Sequence, residues 1–456
     1  MLRLEKILSF KRFFYLLGST ALVFLLVRAP LKAQTTAIQD SEATKMQWFA
    51  DAKLGIFIHW GIYSVKGIGE SWSFHNRQIS YKNYMAQLKG FTASRYDPMF
   101  WARLIKQSGA RYAVITTKHH DGVALWDSRY GGINVVKNSP AGRDVLAPFY
   151  RDLRKEGIKC GAYFSLIDWS YPDYPQFLKD SVRYDISKHP DRWKRFLHYY
   201  QGQLTEVLEK YHPDLIWFDG DWEHTARQWQ AAKVRKLILR YNPACIINGR
   251  LAGYGDYSTP EQNFPVSRPN LRWWELCMTV NNSWGWQPQD TAWKTPYQII
   301  RIFADCISMG GNLLLDIGPR ADGSIPHQDV YTLREIGKWT QRHAEAIYGT
   351  VAGMPAGHFY GPSTLSKDST TLYLFLPGSG NEQVVIKGLD SRIKDIRVVG
   401  SHTRLSYTTV GKISYSPVPG LIYIPVPAKV QDPYMTVLAV DLKAPLRLYD
   451  GQGGLK

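Results

Sequence analysis

Between about Leu54 and Tyr348 the hydrophobic pattern alternates between two textures. Short runs, apolar at consecutive positions, are followed by longer stretches with apolar residues at helical spacing. The runs are LGIFIHWG, YAVITTKHHDG, CGAYFSLIDW, DLIWFDGDW, ACIING, WWELCMTV and NLLLDIG. Continuous rather than alternating apolarity is what strands show when both faces are buried. Helical spacing predicts helices over Pro98–Ser108, Leu146–Glu156, Arg192–Tyr211, Gln228–Arg240, Tyr297–Met309 and Val330–Ile347. Strand–helix repetition over this length predicts a (β/α)8-type, TIM-like barrel. An open doubly wound sheet is the alternative, but no Gly-rich phosphate turn follows the first strand.

The texture changes after about residue 350. TLYLFL, EQVVIKGL, IKDIRVVG, LIYIPV and MTVLAV are short β-rich runs separated by Gly, Pro, Ser and Asp. They predict a small C-terminal antiparallel β-sandwich over 351–456. Residues 1–33 form a separate unit. Lys6, Lys11 and Arg12 precede the apolar run Phe13–Val27, and Ala33 offers a cleavage point. That is the layout of a signal peptide, too short for a comfortable membrane span, although an uncleaved anchor is an alternative. The barrel is then expected over 34–350. The protein is expected to be exported, periplasmic or secreted, with no stable membrane span after cleavage.

Charge and composition narrow the chemistry. The net charge of +17 falls to about +12 without residues 1–33, and the basic residues form no block. A nucleic-acid partner is therefore not expected. Cys160, Cys245, Cys277 and Cys306 all lie in apolar runs and read as buried free thiols. Aromatic residues reach 14%, with 16 Trp, which suits a cleft that stacks sugar rings as well as it suits a large core. Nothing in the sequence indicates an oligomeric state.

In a barrel the site forms at the carboxyl ends of the strands. Those ends carry His59, Lys118-His119-His120-Asp121, Tyr163, Asp168, Trp217 and Asp219, and Arg250. Glu261 follows on a loop, and Glu275 begins the sixth run. Neighbours in a regular strand face opposite sides, so adjacent His119 and His120 do not make a metal site, and none is expected. Hydrogen bonds from neutral imidazoles to substrate hydroxyls fit better. Gly310-Gly311 precedes a strand rather than a helix, which argues against phosphate. No Gly-x-Ser-x-Gly elbow is present, and Cys160 starts its strand at the far end. No cofactor is expected. Paired carboxylates remain, the requirement of glycoside cleavage. Asp219 is the nucleophile candidate, with Gly220 beside it allowing close approach of substrate. Asp221 and Glu223 read as solvated or capping.

GIFIHWGIYS, TTKHHDG, DLIWFDGDW, WWELCMT, SWGW and GGNLLLDIGP occur in this order. Together they resemble the α-L-fucosidases of glycoside hydrolase family 29, from about Trp48 through Tyr348. The resemblance implies a retaining exo-glycosidase that removes terminal α-L-fucose from fucosylated glycans through a covalent fucosyl-Asp intermediate. It implies that Asp219 is the nucleophile, that Trp217, Tyr163 and Arg250 flank it, and that His59, His119 and His120 hold fucose hydroxyls. For the acid/base it leaves Glu261, in YSTPEQ, as first choice and Glu275, in WWELC, as rival. The family's Glu-Trp pair reads Glu70-Ser71-Trp72 here, so a sugar-contacting role for Glu70 is open, while Trp72 fits a pocket wall. Trp286 and Phe57 are further aromatic candidates. A non-catalytic fucose-binding protein and a barrel glycosidase for another sugar are the competing readings.

Overall fold

The computed structural model describes residues 42–451 except 271, 379, 381, 382 and 402. The proposed signal peptide, residues 1–33, lies outside them. In a first unit ending at Trp48, residues 42–48 are helical. The second unit starts at Phe49 and carries everything below.

Seven parallel strands form its central sheet. They are β1 (Leu54–Ile58), β2 (Tyr112–Lys118), β3 (Lys159–Ser165), β4 (Leu215–Asp219), β5 (Ile246–Ile247), β6 (Glu275–Thr279) and β7 (Asn312–Ile317). Their order is β5-β4-β3-β2-β1-β7-β6, and each matches one of the seven runs. All but Lys159 are buried throughout, as continuous apolarity requires.

The eighth position is filled without a regular strand. Residues 256–262 run between β5 and β6 and pair with both through single bridges, Asn248 with Tyr257, Ser258 with Trp274 and Glu261 with Cys277. The Asp256 N–H donates to Ile247 O at 2.6 Å, and the Gln262 N–H donates to Cys277 O at 2.9 Å. This segment curls the sheet into a TIM-like barrel and holds Glu261 on its rim.

The helices fall close to the predicted spans, with two differences. α1 (Pro98–Gln107), α2 (Leu146–Lys155), α3 (Pro190–Tyr211) and α5 (Pro296–Ser308) are continuous. Helix 228–240 is broken at Gln230, whose φ of 54° ends one turn and starts α4 (Ala231–Tyr241). α6 (His327–Arg342) stops before a separate turn at Ala344–Ile347.

The C-terminal part is antiparallel. One sheet orders Val351–Ala352, Ser363–Leu365, Thr371–Pro377, Met435–Leu442 and Ile393–Val398, and a second orders Gln383–Ile386, Leu421–Pro425 and Thr408–Val410. Leu372, Leu374 and Leu376 pack toward Ile386, Ile422 and Ile424 of the second sheet. Their alternates Tyr373 and Phe375 join the barrel core beside Trp339 of α6. The larger sheet is thus covered on both faces, which is why its two long strands read as unbroken apolar runs.

Candidate active site

Asp219 ends β4 and is buried. Its Oδ1 accepts from Arg250 Nη1 at 2.9 Å, and its Oδ2 accepts from the Tyr163 hydroxyl at 2.9 Å. His120 Nε2 lies 3.5 Å from the same Oδ2. Arg250 stands 4.6 Å above the Trp217 ring, which stacks on Tyr163 with centroids 5.6 Å apart. Burial opposes the arginine's charge, but Asp219, Cys277 and Glu261 more than offset this and push its pKa up. Arg250 Nη2 also donates to Glu261 Oε2 at 2.6 Å. One guanidinium therefore bridges the two carboxylates through its two terminal nitrogens, a planar fork that lysine lacks.

Gly220, next in the chain, has φ 87°, and a Cβ there would meet Ile167 at 2.5 Å. Its glycine is required by the turn that leaves β4, a backbone reason rather than substrate access.

Three imidazoles line or flank the carboxylate, and each has Nδ1 occupied. His59 pairs with Asp316 at 2.6 Å, His119 with Ser71, and His120 with Ser165 at 2.6 Å. This leaves Nε2 of each ring for a ligand. His120 Nε2 is buried without a hydrogen-bond partner. Burial pushes all three well below the usual histidine range, so they are neutral at neutral pH. Burial also raises the pKa of Asp316, the partner of His59. Adjacent His119 and His120 both reach the site because the pairing of β2 with β3 shifts between Thr116 and Lys118. The rings then lie 4.3 Å apart instead of on opposite faces.

The cavity measures about 140 Å³ and is lined by Phe57, His59, Glu70, Trp72, His119, Tyr163, Trp217, Asp219, Trp222, Arg250, Glu261 and Trp284. That is below the roughly 300–1,000 Å³ of sites for drug-sized ligands and matches a single sugar ring. Larger hollows, about 800 Å³ beside Phe264 and Arg301 and about 520 Å³ beside Arg397, hold neither a histidine nor a pair of carboxylates.

Of the residues expected from sequence, His59, Trp72, His119, Tyr163, Trp217, Asp219, Arg250 and Glu261 line this cavity and His120 faces Asp219, whereas Trp286 and Glu275 do not line it. The Glu275 carboxylate is fully buried beneath Trp217, accepting from the Trp217 indole N–H at 3.2 Å and from the Tyr112 hydroxyl. Burial pushes its pKa up to about 7. A carboxyl raised from 4.5 to about 7 on folding favours the folded state at low pH, and that advantage is lost as pH rises through 7. Glu275→Gln should remove on the order of 3 kcal/mol of the stability change between pH 4.5 and 7. Denaturant unfolding of both proteins across that range would check it, and parallel pH profiles would refute it.

Trp284, Trp222 and the backing Asp316 were not singled out by sequence. Trp284 sits in the quoted SWGW motif, but Trp286 was preferred, and Trp286 instead packs against Arg320 at 5.4 Å. Glu70 is a lining residue after all, and its Oε1 accepts from the Gly285 N–H at 2.6 Å. Asp221 and Glu223 are anchors rather than solvated groups. Asp221 accepts from Ala252 N at 2.7 Å, and Glu223 accepts from the Trp169 indole at 3.1 Å and from Tyr174.

Comparison with known proteins gives one consistent match. Residues 26–345 fit the family model described as alpha-L-fucosidase. An alpha-L-fucosidase of Branchiostoma floridae is 32% identical over 66% of this chain and 72% of its own length. Human tissue alpha-L-fucosidase is 32% identical over 66% of this chain and 69% of its own. Alpha-L-fucosidase isoenzyme 1 from Paenibacillus thiaminolyticus superposes with a TM-score of 0.80 at 31% identity, covering 88% of this chain and all of that one. A family 29 alpha-L-fucosidase of Bacteroides thetaiotaomicron, trapped as a covalent intermediate with 2-fluoro-fucosyl fluoride, superposes at 0.77 with 27% identity over 88% of this chain and 96% of its own.

Proposed function

The chain belongs to the α-L-fucosidase family, glycoside hydrolase family 29, and we propose that Asp219 is its nucleophile and Glu261 its acid/base. The enzyme is a retaining exo-α-L-fucosidase that hydrolyses terminal α-L-fucose through a covalent intermediate. The observation that carries the residue assignment is the bridge Asp219–Arg250–Glu261 in the lining of a cavity sized for one ring.

In the first step Asp219 attacks the anomeric carbon as the bond to the leaving oxygen breaks, and Glu261 gives that oxygen a proton. In the second step Glu261 takes a proton from water, the water oxygen bonds to the anomeric carbon, and Asp219 departs. Arg250 and the Tyr163 hydroxyl each hold one oxygen of the Asp219 carboxylate and so fix its orientation for attack. Glu261, its side chain 39% exposed and held at Arg250, has room to turn toward the glycosidic oxygen. The neutral His59, His119 and His120 present Nε2 to fucose hydroxyls, and Phe57, Trp217 and Trp284 supply the apolar wall. Among the described residues no helix is long and apolar enough to cross a membrane. Export is proposed from the basic and then apolar N-terminal sequence alone.

Proton NMR of protein starting near residue 34, with α-1,2, α-1,3, α-1,4 and α-1,6 fucosylated oligosaccharides, tests the reading. α-Fucose should appear before its β anomer. β-Fucose appearing first would mean inversion and would remove Asp219 as nucleophile.

A further inference from the structure

His120 is the imidazole whose Nε2 faces the nucleophile. Burial, reinforced by His75, His59, Arg250 and Lys118, holds the ring neutral, so it carries one N–H and one bare nitrogen. Which nitrogen is bare follows from Ser165, the last residue of β3 and the register neighbour of Asp219 on β4. Ser165 is fully buried, and its Oγ has two partners, His120 Nδ1 at 2.6 Å and Ile167 O at 2.7 Å.

A hydroxyl has a single proton to give. Ile167 O is a carbonyl and can only accept, and among the described residues no other group donates to it. Were the Ser165 proton turned to His120, two oxygens would face each other at 2.7 Å with nothing between them, and a buried carbonyl would be left unpaired. The proton therefore goes to Ile167 O, and His120 Nδ1 supplies the hydrogen of the other contact. Nε2 is left bare. Ser71 holds His119 differently. His119 is the only partner of its hydroxyl among the described residues, so that hydroxyl can point either way.

The bare Nε2 is buried, unpartnered and 3.5 Å from Asp219 Oδ2, itself an acceptor. The ring is packed against Trp72, Trp169 and His119, which fix its plane. Two acceptors this close with no proton between them leave a place for a sugar hydroxyl to donate. The opposite tautomer would put Nε2–H against Oδ2. It would then cap the nucleophile and meet the sugar with a donor in place of an acceptor.

We propose that Ser165 is a positioning residue that sets the tautomer of His120 and so makes Nε2 a hydrogen-bond acceptor for a substrate hydroxyl beside the nucleophile. This rests on the fucosidase reading above and adds a requirement on the substrate: at that point the sugar donates, so a free hydroxyl is accepted and an ether oxygen in its place is not.

Two readouts test it. In protein with nitrogen-15-labelled histidine, long-range proton–nitrogen correlations separate a protonated ring nitrogen from a bare one. The His120 signals are assigned by their absence from His120→Gln. The wild type should show Nδ1–H and a bare Nε2. In Ser165→Ala the Nδ1 hydrogen loses its acceptor, so the proton should move to Nε2 and face Asp219. With it, kcat/KM on an aryl α-L-fucoside should fall about ten- to a hundredfold. Ser165→Thr, which keeps the hydroxyl, should keep the wild-type tautomer and most of the activity. A wild-type Nε2–H, or a tautomer unchanged in Ser165→Ala, would overturn the proposal whatever the activity, as would a shifted tautomer with unchanged kcat/KM. Wild-type protein with the expected tautomer that cleaves no fucoside would overturn the fucosidase reading instead, and the substrate requirement with it.

Discussion

Asp219→Gly is expected to lower kcat/KM on a fucosylated oligosaccharide by at least about 10⁴-fold, and azide is expected to restore turnover with β-fucosyl azide as the product. Losing the nucleophile removes the covalent route, and 10⁴ corresponds to about 5.5 kcal/mol at 1.36 kcal/mol per tenfold. The fold should survive, because Arg250 keeps its contact with Glu261 and is not left as an uncompensated buried charge. The vacated carboxylate space lies within reach of Arg250 and of the Tyr163 hydroxyl, which are suited to a small anion. Azide entering there attacks the face that Asp219 used, but no second displacement follows, so the product has inverted configuration. Mass and anomeric coupling of the product would check this. Hydrolysis of the oligosaccharide by the variant at the parent rate would remove Asp219 from the mechanism.

The strand ends were legible in the sequence because barrel strands buried on both faces read as apolar runs, and polar residues closing such runs stand out. His59, Tyr163, Asp219 and Arg250 were found that way. The segment that closes the barrel was not, since Tyr257–Gln262 carries Ser258, Thr259 and Pro260 and pairs through isolated bridges. It has no apolar run to announce it, yet it sets Glu261. The alternation rule misjudged His119 and His120, because a register shift in β2 is a property of the β2–β3 pair and not of β2 alone. Trp284 and Trp286 share one motif at a spacing of two, so spacing could not tell wall from support. The Glu70-Ser71-Trp72 departure also resolves in three dimensions. Glu70 reaches Gly285, Ser71 reaches His119, and Trp72 opens a short helical turn facing the mouth, so each residue has a contact. None of these partners is near in sequence, apart from the turn itself.

The choice between Glu261 and Glu275 has a kinetic signature. Glu261→Ala is expected to lower kcat/KM on the oligosaccharide by about 10²–10⁴-fold, because a sugar oxygen leaves poorly without a proton. On α-L-fucosyl fluoride the first step needs little protonation, so fluoride should be released in a burst equal to the enzyme present. Slow turnover should follow, since the water that clears the intermediate has lost its base. Glu275→Gln should show no such split between substrates. Its carboxylate lies under Trp217, and its two hydrogen bonds come from Tyr112 and Trp217, so it supports the floor of the pocket and does not meet the leaving oxygen. A raised pKa suits a general acid, yet burial raises a structural carboxyl in the same way. Position favours the proposed assignment: Glu261 lines the cavity beside Arg250, and Glu275 does not line it. If the burst appeared in Glu275→Gln and not in Glu261→Ala, the two roles would have to be exchanged, and β6 would have to shift to bring Glu275 past Trp217.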